Sequence, residues 1–154
     1  MVYRVCKVFE VESGHMLSKH PDRCRFPHGH TRRIEVVVSS DSLDANDMVC
    51  DFKALKVAIS DFIDTFDHAM AINSADKARP ALEAIGDRLV VFEDTDPTTE
   101  VLAKHIYDYV TARIGSGKTF KDRSGIEYAF PPGLRLERVR VGETSSTWAE
   151  YASS

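Results

Sequence analysis

Residues 24 to 38 read Cys24-Arg25-Phe26-Pro27-His28-Gly29-His30-Thr31-Arg32-Arg33-Ile34-Glu35-Val36-Val37-Val38. From about residue 30 to 39, Ile34, Val36 and Val38 alternate with Arg33, Glu35 and Val37, which predicts a strand, because strand side chains point to alternate faces. Counting back by twos from Ile34 passes Arg32, His30 and His28, so both imidazoles leave the strand on one side.

Upstream, residues 2 to 12 alternate in the same way, with Tyr3, Val5, Phe9 and Val11 on one face and Arg4, Glu10 and Glu12 on the other. Continuing that period through Ser13 puts His15 on the apolar face. The Gly, Ser and Pro residues between Gly14 and Pro27 predict a connecting loop with several reactive side chains.

Downstream the period changes. Phe52, Leu55, Ile59, Phe62, Ile63 and Phe66 recur at helical spacing behind Asp51, a helix-capping residue. A second helix is predicted over residues 97 to 114, with Asp96 as N-cap, Pro97 at the first position and Leu102, Ile106, Tyr109 and Val110 inward. Leu89 to Phe92 fits a short buried strand. Leu134 to Gly142 alternates again and can pair with residues 147 to 151 through the turn Glu143 to Ser146. The expectation is one α+β domain over residues 1–154, in the order ββααββ: a four-stranded antiparallel sheet covered on one face by two helices.

At 154 residues, 43% hydrophobic and 29% charged, the chain is long enough to bury one core without staples. A net charge of -4 offers neither nucleic acid nor an anionic membrane a basic footprint. No apolar run approaches the roughly 18 residues of a membrane span, and the opening residues alternate instead of forming a signal-peptide core, so a cytoplasmic address is expected. Cys6, Cys24 and Cys50 are odd in number and irregularly spaced, which favours free thiols.

Two histidines sharing a strand face, with only Gly29 between them, suit two ligands on one ion, and His15 supplies a third nitrogen if its strand pairs alongside. Three neutral imidazoles describe an open metal site, with zinc the expected ion. Cys24 precedes His28 by four positions, where a bound cation favours the reactive thiolate. Two plainer readings fit the same residues: His-Gly-His as a surface turn, and Cys24 as a fourth ligand closing a structural zinc site. Lys19, Arg23, Arg25, Arg32 and Arg33 flank the loop as candidate phosphate contacts or as solvated surface. Gly115-Ser-Gly117-Lys118-Thr119 looks like a phosphate-binding loop but follows a helix and has Ala112 at the first glycine position, so it reads as a helix-ending loop.

Cys24-Arg-Phe-Pro-His28-Gly-His30, preceded by Phe9-Glu-Val-Glu-Ser-Gly-His15, resembles the superfamily of 6-pyruvoyl- and 6-carboxy-tetrahydropterin synthases. Met48-Val-Cys-Asp51-Phe52-Lys-Ala-Leu55, Phe66-Asp67-His68 with Asn73, Pro97-Thr98-Thr99-Glu100 and Val141-Gly-Glu143-Thr144 with Tyr151 match further family segments in order. The three residues between Cys24 and His28 are similar to the bacterial 6-carboxy-tetrahydropterin synthase branch. Residues 74 to 95 and 115 to 132 look longer than in compact members, and Ser13-Gly14 stands where small apolar residues are common.

The resemblance implies the tunnelling fold, a homohexamer built as a dimer of trimers with active sites between subunits, and zinc on His15, His28 and His30. It further implies 7,8-dihydroneopterin triphosphate as substrate, Cys24 as the proton-transfer group, Asp67 and His68 as a second acid-base pair, Glu143 as pterin anchor, and Thr98 and Thr99 as substrate contacts. On residue type alone, His68 is an ordinary helix-end histidine, Glu143 a polar hairpin residue, and Thr98 and Thr99 helix caps. The rival activities are the pyruvoyl synthase reaction and a non-catalytic pterin- or metal-binding role.

Overall fold

A computed structural model describes residues 1–154. The chain runs β1 (Tyr3–His15), β2 (His28–Ser40), α1 (Phe52–Asp64), β3 (Ala69–Asn73), α2 (Arg79–Leu82), β4 (Leu89–Phe92), α3 (Thr99–Gly115), β5 (Phe120–Lys121), β6 (Glu127–Tyr128), β7 (Arg135–Thr144) and β8 (Thr147–Ala152). No helix is long and apolar enough to cross a membrane.

The main sheet has six strands in the order β4-β3-β1-β2-β7-β8, which corrects the expected four. β1, β2, β7 and β8 pair antiparallel as expected, whereas β3 and β4 add a parallel edge beside β1. Alternation did not reveal β3 because Ala69-Met-Ala-Ile-Asn73 is a short run buried at nearly every position. The chain passes through α1 before returning beside β1, and such a crossover is what a parallel neighbour requires. The segment read as Leu89 to Phe92 is the edge strand β4, buried only at Phe92. Residues 115 to 132, expected as loop, hold the small β5–β6 hairpin.

Asp51 caps α1 by accepting from the Lys53 N–H at 2.8 Å. Leu55, Ile59 and Ile63 face inward, while Phe52, placed on the same stripe by its spacing, is exposed at the first turn. In α3 the cap is Thr98, whose Oγ1 accepts from the Val101 N–H at 3.2 Å, and not Asp96. Asp96 lies outside the helix because its carboxylate is occupied by Ser18, Lys19 and Asn73. Leu102, Ile106 and Val110 are buried as expected; Tyr109 is half-buried and stacks on Phe62, ring centroids 3.8 Å apart.

α1 lies against β1, and α3 against β7 and β8. Ile34, Val36, Val38, Val139 and Val141 of the sheet share one core with Leu55, Ile59, Leu102, Ile106 and Val110 of the helices. Each such side chain contributes roughly 1.5–3 kcal/mol by leaving water. The opposite face carries charge: Glu35 pairs with Arg33 at 2.8 Å, and Glu150 with Arg138 at 3.2 Å and Arg140 at 3.0 Å. One sheet face is therefore bound to the helices and the other is polar.

Candidate active site and metal centre

The β1–β2 register sets His15 directly opposite His28 and Ser13 opposite His30. Gly14 faces Gly29 between them. A Cβ on Gly29 would stand 3.3 Å from the Ser13 carbonyl oxygen, and one on Gly14 3.2 Å from the Ala69 carbonyl oxygen, so neither strand has room for a side chain there. This close packing brings the three imidazoles together, with ring centroids 4.5 to 5.2 Å apart.

The Nδ1–H of His15 donates to the Pro97 carbonyl at 2.8 Å, and that of His28 to the Phe26 carbonyl at 2.7 Å. Each bond fixes a tautomer that leaves Nε2 with a free lone pair, the usual arrangement behind a metal-bound histidine. The Nε2 of His28 is buried without a partner. The Nε2 atoms of His15 and His30 lie 3.2 Å apart. Two nitrogens each 2.0–2.1 Å from a tetrahedral zinc are roughly 3.3 Å apart, so the donor set fits such an ion. Burial, reinforced by the positive charge of Arg32, holds His15 down to about 4 against the pull of the Pro97 carbonyl, and burial likewise lowers His30. Both are neutral at physiological pH, as ligands must be.

Cys24 sits in a single 3-10 turn, Arg23–Arg25, tied down by the Leu17 N–H donating to its carbonyl at 2.9 Å. Asp96 anchors the same loop by accepting from the Ser18 hydroxyl at 2.6 Å and the Lys19 N–H at 2.7 Å. The cluster of metal-competent donors comprises the three histidines without Cys24, which instead borders a cleft of about 310 Å³ with Thr98, Thr99, Glu143 and Trp148. That volume is at the low end for small-molecule sites. A larger hollow of about 520 Å³ beside α1, lined by Lys53, Lys56, Lys121 and Arg123, contains none of the predicted site residues.

Glu143 joins the cleft to the histidines. Its Oε1 is 3.7 Å from the His30 Nε2 and 3.9 Å from the His15 Nε2, and it accepts from the Thr99 hydroxyl at 3.1 Å. Thr98 and Thr99 therefore border the cleft while also serving the start of α3. Arg32, grouped with the loop cations on sequence grounds, is buried beneath the histidines, whereas Lys19, Arg23, Arg25 and Arg33 are exposed.

Asp67 and His68 form a pair of their own, with the His68 Nδ1–H donating to Asp67 Oδ2 at 2.9 Å. The Glu12 backbone N–H, 2.9 Å from Asp67 Oδ1, and then His68 hold that carboxyl below the usual range, and Asp67 in turn raises His68. His68 is exposed and Asp67 half-buried, and neither borders the Cys24 cleft. The cleft residue that composition and spacing did not single out is Trp148, and the supporting positions of Asp96, expected as a helix cap, and Arg32, expected among the loop cations, were not foreseen. The sequence signal that could have placed Arg32 beside the histidines was its shared face with His28 and His30.

The 6-pyruvoyl tetrahydropterin synthase family model matches residues 4–154. The chain belongs to that family. This family member is 28% identical to the 6-carboxy-5,6,7,8-tetrahydropterin synthase of Aquifex aeolicus across 98% of each chain. Its fold matches an uncharacterised protein from Wolinella succinogenes with a TM-score of 0.78 at 22% identity, covering 100% of this chain and 99% of that one. It also matches the Caenorhabditis elegans 6-pyruvoyl tetrahydropterin synthase with a TM-score of 0.65 at 19% identity, covering 100% and 97%. The six-stranded sheet with its helices on one face is thus the tunnelling fold of 6-pyruvoyl tetrahydropterin synthases.

Proposed function

We propose that the chain is a zinc-dependent 6-carboxy-5,6,7,8-tetrahydropterin synthase that converts 7,8-dihydroneopterin triphosphate and water to 6-carboxy-tetrahydropterin, acetaldehyde and triphosphate. The observation that carries this reading is the meeting of three imidazole nitrogens, two of them 3.9 and 3.7 Å from the Glu143 carboxylate, on a cleft that Glu143 and Cys24 both border. The name of the Aquifex aeolicus relative, which aligns from end to end, supports the carboxy branch.

In this reading His15, His28 and His30 hold zinc, which supplies a Lewis acid for side-chain oxygens of the substrate. The Glu143 carboxylate accepts the 2-amino and ring N–H edge of the pterin, two parallel donors that match two oxygens. Cys24 moves the proton at the substrate side chain. Thr98 and Thr99 line the floor at the helix N-terminus. Asp67 and His68, which do not line the cleft of their own chain, serve as the acid-base pair in the site of a neighbouring copy within a homohexamer of two trimers. The address is cytoplasmic and the product feeds queuosine-type deazapurine synthesis.

The pyruvoyl reaction is the second reading, favoured by the name of the Caenorhabditis elegans neighbour. Incubating zinc-loaded protein with 7,8-dihydroneopterin triphosphate and analysing the products by mass spectrometry separates the two. 6-Carboxy-tetrahydropterin with acetaldehyde is expected, and absent with Cys24→Ala. 6-Pyruvoyl-tetrahydropterin moves the protein to the other branch, and no Cys24-dependent product leaves a binding protein.

A further inference from the structure

Arg32 follows His30 by two positions on β2 and is 1% exposed. A buried guanidinium is costly unless its N–H groups find acceptors and its charge finds a counterion. Its Nη1 donates to the Thr99 hydroxyl at 3.1 Å and to the Gly142 carbonyl at 3.3 Å, while its Nε is buried without a partner. Its Nη2 stands 3.3 Å from the His15 Nδ1, but the proton on that nitrogen already points to Pro97. The carboxylate that balances Arg32 is Glu143, reached through Thr99.

Thr99 has one hydroxyl proton. Because its oxygen accepts from Arg32, that proton is directed to Glu143 Oε1, 3.1 Å away, and the relay has a single polarity. Glu143 needs such restraint. Its Oε1 stands 3.7 and 3.9 Å from two of the histidine nitrogens, only a few tenths of an ångström beyond the roughly 3.3 Å that separates ligands of a tetrahedral zinc. A small rotation would make it the fourth ligand, closing the open position and removing the acceptor for a substrate.

We propose that Arg32 is a positioning residue that, through Thr99, holds Glu143 towards the cleft as the substrate acceptor and keeps its carboxylate off the metal. The proposal rests on the pterin-synthase reading above. It assigns Arg32 to the site's electrostatics and not to contact with substrate phosphates, which a buried side chain does not reach.

The test measures 7,8-dihydroneopterin binding to metal-free protein by fluorescence, and the visible absorption of the cobalt-substituted protein. The variants are Arg32→Met, Thr99→Val, Thr99→Ser, Glu143→Gln and the double variant Arg32→Met with Glu143→Gln. Arg32→Met and Thr99→Val are expected to weaken pterin binding about tenfold, with Thr99→Ser restoring it. The double variant is expected to bind no more weakly than Glu143→Gln alone, because Arg32 acts through that carboxylate. The cobalt spectrum is expected to change in Arg32→Met but not in the double variant. If Arg32→Met does not fold, Thr99→Val cuts the relay with the guanidinium in place and is read by its cobalt spectrum. That spectrum is expected to change as Glu143 reaches the metal; the loss of a substrate contact alone leaves it as in wild type, an outcome that overturns the relay. Losses that simply multiply in the double variant, or Thr99→Val binding as wild type does, overturn the relay. Unchanged binding in Glu143→Gln overturns the pterin reading itself, and the relay with it.

Discussion

The Nε2 atoms of His15 and His30 come within 3.2 Å of each other although the residues sit on different strands, and both lone pairs face the same small volume. In neutral imidazoles this contact is relieved by a shared proton or by a cation. Purified protein is therefore expected to hold about one zinc per chain, and His30→Ala to lower zinc affinity by at least tenfold with the fold retained. Metal analysis after dialysis, with circular dichroism alongside, checks this; full zinc retention in both His15→Ala and His30→Ala would place the metal elsewhere.

Proton competition at His15 gives metal-free protein a defined pH response. Its folded-state value is about 4 against an ordinary 6.5, chiefly because it is buried. Between those values the unfolded chain binds a proton that the folded chain refuses, so stability is lost as pH falls from about 6.5 to about 4. The loss from this group is on the order of 3 kcal/mol at full extent. Urea unfolding of the metal-free protein at stepped pH should show it, and His15→Gln should flatten that part of the curve. A slope identical in both proteins contradicts the assignment.

Asp96 is buried and accepts from Ser18, Lys19 and Asn73, joining the Cys24 loop to the end of β3. Asp96→Ala strands these donors and is expected to cost roughly 2–4 kcal/mol. Cys24 should also react faster with a thiol reagent, read by peptide mass spectrometry, because its loop has lost its anchor. Unaltered Cys24 reactivity would mean that the turn at Arg23–Arg25 holds without Asp96.

Cys24 is half-buried beside the cleft and outside the histidine cluster. Cys24→Ser is expected to reduce turnover of 7,8-dihydroneopterin triphosphate by at least a hundredfold while zinc content stays the same. Loss of zinc in that variant would instead make Cys24 a ligand.

His68 is exposed and touches its own chain chiefly through Asp67. His68→Asn, which tolerates the positive φ of 51° at this position, should therefore shift unfolding stability by no more than about 0.5 kcal/mol, while lowering turnover at least tenfold. Mixing it with Cys24→Ala should restore part of the activity if the two residues serve one site from different copies. Mixed protein as inactive as its parents contradicts that sharing.

What the sequence determined by itself was what repeats over two to four residues. The alternation around Val5 to Val11 and Ile34 to Val38, and the helical spacing from Leu55 to Ile63 and Leu102 to Val110, located two strands and two helices. The same period put His28 and His30 on one face. These patterns are legible because side-chain direction follows directly from local backbone geometry. The local rules misread Asp96 as a cap because an aspartate before Pro97 looks like one wherever its carboxylate goes.

The tertiary structure decided everything that depends on which distant residues meet. The pairing of His15 with His28, the parallel addition of β3 and β4, the burial of Arg32 under Thr99 and the approach of Glu143 to His30 all join residues far beyond the reach of any local period. No local period encodes these, because strand register and crossover direction are selected by packing of the whole core and by the need to satisfy buried polar groups together. The same packing left Asp67 and His68 off the cleft that Cys24 borders.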